Sequence, residues 1–282
     1  MLTNAAGEDV RKYGDLFYAV ALNPAQSCYP TYGDGIKTKA DFLSAAQNAL
    51  AGERSELLLF VLDGNVEGWI SYFWIPEDRY LQIDGCNIRK GAEQALSELL
   101  SRLEERFAGY TAYFGCPGEN REAVRFLESR GFDCVERAWN HSFFFENYAP
   151  AACAREIERI DRSNFDKFRA VYPAESDAYW NCDRIFAALD DWMVFVCNRG
   201  DKPVAAVYLT GGNGYFEIYG TAFADGTLRE DALRELLNAA LGECKRVGAK
   251  YLTYLCSAEE RNALQALGFR CVWEYVLYAR AL

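Results

Sequence analysis

Hydrophobic residues along the chain alternate with a period of two in some stretches and of about 3.6 in others, and the switches come in the same order twice. The first round opens with a helical region. An apolar run at Leu57–Leu62, the turn Asp63-Gly64-Asn65 and a second run at Val66–Trp74 follow. Two apolar runs around an Asp-Gly turn predict an antiparallel hairpin. A third strand is predicted over Arg79–Asp84. Ala92, Ala95, Leu96, Leu99, Leu100 and Leu103 then recur at helical spacing between Gly91 and Phe107. Tyr110–Cys116 reads as a strand, Asn120–Arg130 as a helix ended by Gly131, and Asp133–Phe145 as a strand pair. The second round predicts a hairpin of Met193–Cys197 and Val204–Leu209, a strand Tyr215–Thr221, a helix Leu228–Lys245 and a strand Lys250–Cys256. A helix over Ala258–Leu267, ended by Gly268, and a last strand complete it.

The rounds also share residues. Ala95-Leu96-x-Glu98-Leu99-Leu100 returns as Ala232-Leu233-x-Glu235-Leu236-Leu237, and 232 − 95 is 137. Leu127-x-x-x-Gly131-Phe132-x-Cys134-Val135 returns as Leu264-x-x-x-Gly268-Phe269-x-Cys271-Val272 at the same offset. Tyr80-x-x-Ile83-x-Gly85 returns as Tyr215-x-x-Ile218-x-Gly220, and 215 − 80 is 135. Three blocks in one order at nearly one offset mark two homologous domains. Pro150, in the aperiodic stretch from Asn147 to Ala154, suggests a join there, with domains at 1–148 and 149–282. Each half reads as a mixed α/β layer of helices over a partly antiparallel sheet.

Composition narrows the function more than the fold. The chain has 282 residues, and its high content of apolar and aromatic side chains is that of a folded protein. Its longest apolar run, Leu57–Leu62, is far short of the ~18 residues a membrane span needs. Nothing at the start reads as an export leader, so the expected compartment is the cytoplasm and no membrane partner is expected. A net charge of −11 and the lack of a basic tract argue against nucleic acid. They suit a small amine better. The ten cysteines include no C-x-x-C pair and read as reduced core residues. No metal site is expected, because zinc needs clustered ligands and His141 is the only histidine. His141 itself reads as a strand residue rather than a catalytic base.

The element order, with Asn120-x-x-Ala123-x-x-Phe126 running into Gly131-Phe132, resembles the GNAT acyltransferase superfamily, here as two tandem copies. The resemblance implies an N-acyltransferase, most simply an N-acetyltransferase, with acetyl-CoA as acyl donor and a small amine as acceptor. In that family the diphosphate sits on a loop of the form R/Q-x-x-G-x-G/A, between the third strand and the next helix. Glycines there let the backbone approach, and free helix N–H groups meet the charge. The loop maps onto Ile88-Arg89-Lys90-Gly91-Ala92-Glu93. Gly91 matches, Arg89 and Lys90 offer cations, and Ile88 and Glu93 depart from the pattern. The implied cofactor-binding residues are Ile83, Gly85, Ile88, Arg89, Lys90, Gly91, Ala92 and Asn120. In the second half Thr227-x-x-Glu230 reads as a capping box that closes its own helix, so no diphosphate is expected there, although Gly226 precedes it.

The resemblance also asks for a base and an acid. Asp84 is the candidate base of the first half, with Glu217 the carboxylate of the second. The tyrosine that commonly serves as acid is replaced by Leu127 and Leu264, leaving Tyr113 and Cys116 as substitutes. The resemblance places the acceptor wall over Tyr13, Phe17, Tyr18, Tyr29 and Tyr32 with Asp15 and Asp34. Tyr172, Tyr179 and Trp180 with Glu175 and Asp177 are its counterpart. The first half is the expected working half. The alternative is a non-catalytic tandem GNAT-like protein that binds a ligand or partner. Aminoacyl transfer from a transfer RNA would want a basic face, which a net charge of −11 argues against.

Overall fold

The computed structural model describes residues 1–28, 32–146, 148–149, 157–173 and 179–282. Most of the expected join (147 and 150–154), Tyr29, Glu175 and Asp177 lie outside the described residues.

The first unit comprises Met1–Ala138 and Trp273–Leu282. In chain order it holds β1 (Leu2–Asn4), α1 (Gly7–Ala21), α2 (Lys39–Ala51), β2 (Ser55–Leu62) and β3 (Asn65–Ile75). β4 (Tyr80–Ile88), α3 (Ala92–Arg106), β5 (Thr111–Pro117) and α4 (Arg121–Ser129) follow, and β6 (Asp133–Phe144) begins here. Asp63 and Gly64 both take positive φ (51° and 75°), as a two-residue hairpin turn demands. Its sheet runs β1-β2-β3-β4-β5 and ends on β12 (Arg270–Ala281). β4 and β5 pair in parallel, and α3 makes the crossover between them.

One face of this sheet packs Leu58, Phe60, Ile70, Tyr72, Leu81 and Ile83 against α3 and α4. The other packs Leu57, Leu59 and Trp69 against Phe17 of α1 and Phe42 of α2. Two irregularities shape the site. In β4, Ile83 faces Tyr72 and Gly85 faces Ser71, so Asp84 is an extra, bulged residue. The β4–β5 pairing covers only Tyr80–Ile83 against Thr111–Phe114. Beyond it the two strands part, leaving a fork.

The second unit, Trp139–Val272, repeats the plan. It contains β7 (Ile157–Arg159), α5 (Asp166–Arg169), α6 (Cys182–Ala187), β8 (Trp192–Arg199), β9 (Lys202–Gly212) and β10 (Tyr215–Phe223). α7 (Glu230–Arg246), β11 (Tyr251–Cys256) and α8 (Arg261–Ala266) complete it, and its sheet runs β6-β11-β10-β9-β8-β7. β10 and β11 are again parallel over four residues and then part. α7 buries Leu233, Leu236, Leu237, Ala240 and Leu241 against this sheet, the seam its 3.6-residue period implies.

The structure departs from the sequence reading in three places. Asp133–Phe144 is one long strand, not a pair. The units are also cut differently from 1–148 and 149–282: the last strand of each repeat is completed in the other unit, residues 139–148 in the second and 273–282 in the first. Pairing with a distant strand decides this, and hydrophobic period does not record it. The expected Thr227–Glu230 capping box does not form. Arg229 takes the N-cap with no side-chain bond, and the Thr227 N–H donates to Asp225 instead (3.1 Å). Among the described residues no helix is long and apolar enough to cross a membrane.

Candidate active site

On the α3 and α4 side of the β4–β5 fork lies a cleft of about 560 Å³, walled by the 23–26 loop, the end of β4 and the starts of α3 and α4. Gly91 caps α3 with φ 73°, ψ 36°, a left-handed conformation that favours glycine. A Cβ there would press on Leu62 Cδ2 at 3.0 Å. The N–H groups of Ala92, Glu93 and Gln94 have no acceptor among the described residues. Lys90 is exposed beside them and has no ion pair among the described residues. Arg89, expected as a second cation, is instead locked in a two-pronged pair with buried Glu67 (2.6 and 2.7 Å), which holds that carboxyl below its ordinary range. The Glu93 side chain is exposed and borders a neighbouring groove shared with Arg125, so it does not fill the cleft.

Asn120 lines the cleft but works as a strut. Its Oδ1 accepts from Ala123 N–H (3.2 Å) and its Nδ2 donates to the Ser27 carbonyl (3.0 Å). Ile88 N–H donates to the Gln26 carbonyl (3.2 Å), while the Gln26 side chain donates to the Arg89 carbonyl (3.2 Å). The 23–28 loop is thus tied both to β4 and to α4.

On the α1 and α2 side of the sheet, under α2, lies a smaller cavity of about 210 Å³. The bulge delivers Asp84 to it, with Gly85 beside. Ser71 Oγ donates to Asp84 Oδ1 (2.6 Å), yet burial outweighs that bond and pushes the carboxyl above its ordinary range. A ring stack walls the cavity: Tyr32 lies edge-on to Phe42 (5.3 Å) and Phe42 lies over Trp69 (5.4 Å). Of the expected wall, Tyr32 lines the cavity, Phe17 lies in the core beside Trp69 (5.6 Å) and Tyr18 backs Tyr32 (6.1 Å). Tyr13 packs on Phe17 (6.5 Å). Asp15 pairs with Lys39 at the surface, and Asp34 accepts from Ile36 N–H.

Neither substitute acid joins Asp84 directly. Cys116 faces the α3–α4 core, where burial pushes its thiol up to about 12. Tyr113 shares the Asp84 face by strand alternation but stacks on Tyr80 (4.7 Å). Ile83 is fully buried in the core. Two residues escaped the sequence reading. Tyr275, on β12, presses its hydroxyl against Gly115, one residue past the end of the β4–β5 pairing. Asn87 lies on β4 in the Asp84 cavity. No local pattern marks either one.

In the second unit the same places hold different chemistry. The β10 bulge carries Tyr219, at 219 − 84 = 135 from Asp84. Tyr219 packs on Trp192 (5.5 Å) and Tyr208 (6.4 Å), and a Cβ on Gly220 would strike the Tyr208 hydroxyl. Before α7, Arg229 is extended rather than left-handed, pairs with Asp225, and is followed by Glu230 and Asp231. At the N-cap of α8, Glu260 is buried and accepts from Tyr254 hydroxyl (2.6 Å), Thr221 hydroxyl (2.6 Å) and Ser257 N–H (2.8 Å). This knot joins β10, β11 and α8 across the second fork. His141 is a buried strand residue between Trp139 carbonyl (3.0 Å) and Cys256 Sγ (3.3 Å), with its pKa lowered by burial.

Solved structures share this architecture. A GCN5-related N-acetyltransferase from Sphaerobacter thermophilus superposes with a TM-score of 0.67 at 14% identity, over 99% of this chain and 95% of that one. The fold is that of the GNAT N-acetyltransferases. A tandem GNAT protein from the clavulanic acid biosynthesis pathway matches 99% of this chain and 98% of its own (TM-score 0.52, 14% identity). A glucosamine N-acetyltransferase region of a fungal multi-domain β-N-acetylglucosaminidase covers 99% of this chain, which spans 38% of that protein (TM-score 0.62, 10% identity). At the level of sequence, no family model and no curated protein matches.

Proposed function

We propose that the chain transfers an acetyl group from acetyl-CoA to a small primary amine, with both substrates in the first unit. The observation that carries this reading is the first fork. One of its sides offers a glycine-capped helix end with free N–H groups and Lys90, and its other side offers a half-buried carboxylate. These residues fit the donor: the α3 N–H groups with Lys90 suit a diphosphate, and Gly91 adopts without strain the left-handed turn from which α3 starts. Acetyl-CoA, when bound, supplies its acetyl group as a thioester open to attack by an uncharged amine.

Asp84 holds the incoming ammonium and removes its proton, and a carboxyl raised by burial is better matched to that task than an ordinary one. Tyr275, whose hydroxyl lies against Gly115 at the fork, would give a proton to the departing thiolate, in the role that Leu127 cannot fill. The aromatic wall excludes water and faces the amine's carbon chain. The ion pair of Arg89 with Glu67 favours the second reading, a module that binds without turning over, because it removes one cation from the loop. Melting the protein with acetyl-CoA, and measuring thiol release with added primary amines, separates the two. The account expects stabilisation and amine-dependent thiol release. Stabilisation with no release for any amine supports the binding module. No stabilisation at millimolar acetyl-CoA overturns both.

A further inference from the structure

Among the described residues, the Asp84 cavity holds a buried polar atom with no hydrogen-bond partner. Asn87 is only 3% exposed, its Oδ1 meets no hydrogen-bond partner, and its side chain lines the cavity. A buried carboxamide oxygen without a partner is destabilising, and folded proteins rarely keep one. Asn87 sits opposite Trp69 in the β3–β4 pairing and three residues beyond Asp84, on the same face. Ser71, which also lines the cavity, is already bonded to Asp84.

We propose that Asn87 is a specificity-determining residue, and that the acceptor is a primary amine with a hydrogen-bonding group, a hydroxyl or amide, at its far end. This rests on reading the cavity as the acceptor site. The amine faces Asp84, the distal group satisfies Asn87, and the chain between them lies along Trp69 and Phe42. At about 210 Å³ the cavity has room for a short chain of this kind.

The test pairs 5-amino-1-pentanol with hexylamine, which have the same size and differ only in the distal group. Acetyl transfer and amine-induced melting shifts are measured on wild type, Asn87→Leu and Asn87→Ser. The expected result for wild type is a roughly 10- to 100-fold preference in kcat/KM for the amino alcohol. In Asn87→Leu the preference falls to about onefold, and Tm rises as the unpaired oxygen is removed. Asn87→Ser regains part of the preference. Equal use of both amines by wild type, or a preference that survives in Asn87→Leu, overturns the proposal and leaves acetyl transfer standing. If neither amine is acetylated, the melting shifts decide for Asn87. A larger shift with the amino alcohol, seen in wild type only, upholds its role, and equal shifts overturn it.

Discussion

The bulge in the third hairpin-side strand carries Asp84 in the first unit and Tyr219 in the second, and the contrast extends to the helices behind it. The first unit caps α3 with a left-handed glycine and α4 with a neutral asparagine. The second starts α7 from an ion-paired arginine and α8 from a buried carboxylate held by two hydroxyls. Strand order, bulge and fork are common to both. At the second fork Glu260 ties Thr221 and Tyr254 together, whereas at the first the N–H groups that open α3 and Lys90 have no partner among the described residues. A repeated fold can thus keep strand order, bulge and fork in both copies while the side chains set on them diverge.

That contrast breaks most sharply at the bulge. Asp84→Asn is expected to lower kcat/KM by about 10²–10⁴-fold in an acetyl-transfer assay, the usual span for a lost general base, whereas Tyr219→Phe leaves it unchanged. The acid limb of the wild-type pH profile should lie above the ordinary carboxylate range, because burial raises Asp84, and Asp84→Asn should lack that limb. Stability carries the opposite sign. A carboxyl raised in the folded state binds its proton more tightly there than when unfolded, so wild type loses stability as pH rises from the unfolded value through the folded one. Asp84→Asn should therefore melt higher than wild type at neutral pH, with the gain vanishing in acid.

The helix ends give the next effect. At a hundredfold its dissociation constant, acetyl-CoA should stabilise wild type by about 2.7 kcal/mol. Gly91→Glu should abolish this, through both its side-chain charge and its positive φ. The buried knot of the second unit comes third. Glu260→Gln should cost about 1–3 kcal/mol in urea unfolding, since its charged hydrogen bonds weaken, with acetyl-CoA affinity intact. Smallest is Asn120→Ala, at about 1 kcal/mol for a lost N-cap, read from the same unfolding curves. A greater loss of acetyl-CoA affinity in Glu260→Gln than in Gly91→Glu would reverse the assignment of the two units.

Much of this was legible in the chain. The Asp63-Gly64 turn, the leucine spacing of α3 and the 135 and 137 offsets are local or periodic signals, and they yielded hairpins, helices and the duplication. Gly91 was legible as the residue that opens α3, because the leucine spacing starts just after it. What escaped depends on partners far away in sequence. The Arg89 guanidinium looks free until Glu67, on the neighbouring strand, is placed beside it. Cys116 looks available until strand alternation turns it to the core. The bulge arises from the register between β3 and β4, so Asp84 was nameable as a carboxylate near the strand end but not as the residue pushed out of the ladder. Tyr275 comes from the other sequence repeat, 160 residues from Gly115 (275 − 115), and no motif links them.

Calorimetric titration of acetyl-CoA into wild type, Lys90→Glu and Thr227→Glu tests the central assignment most directly. The account predicts one molecule bound per chain, an affinity about tenfold or more weaker in Lys90→Glu, and wild-type binding in Thr227→Glu. Two molecules per chain, or binding lost in Thr227→Glu and kept in Lys90→Glu, would contradict it.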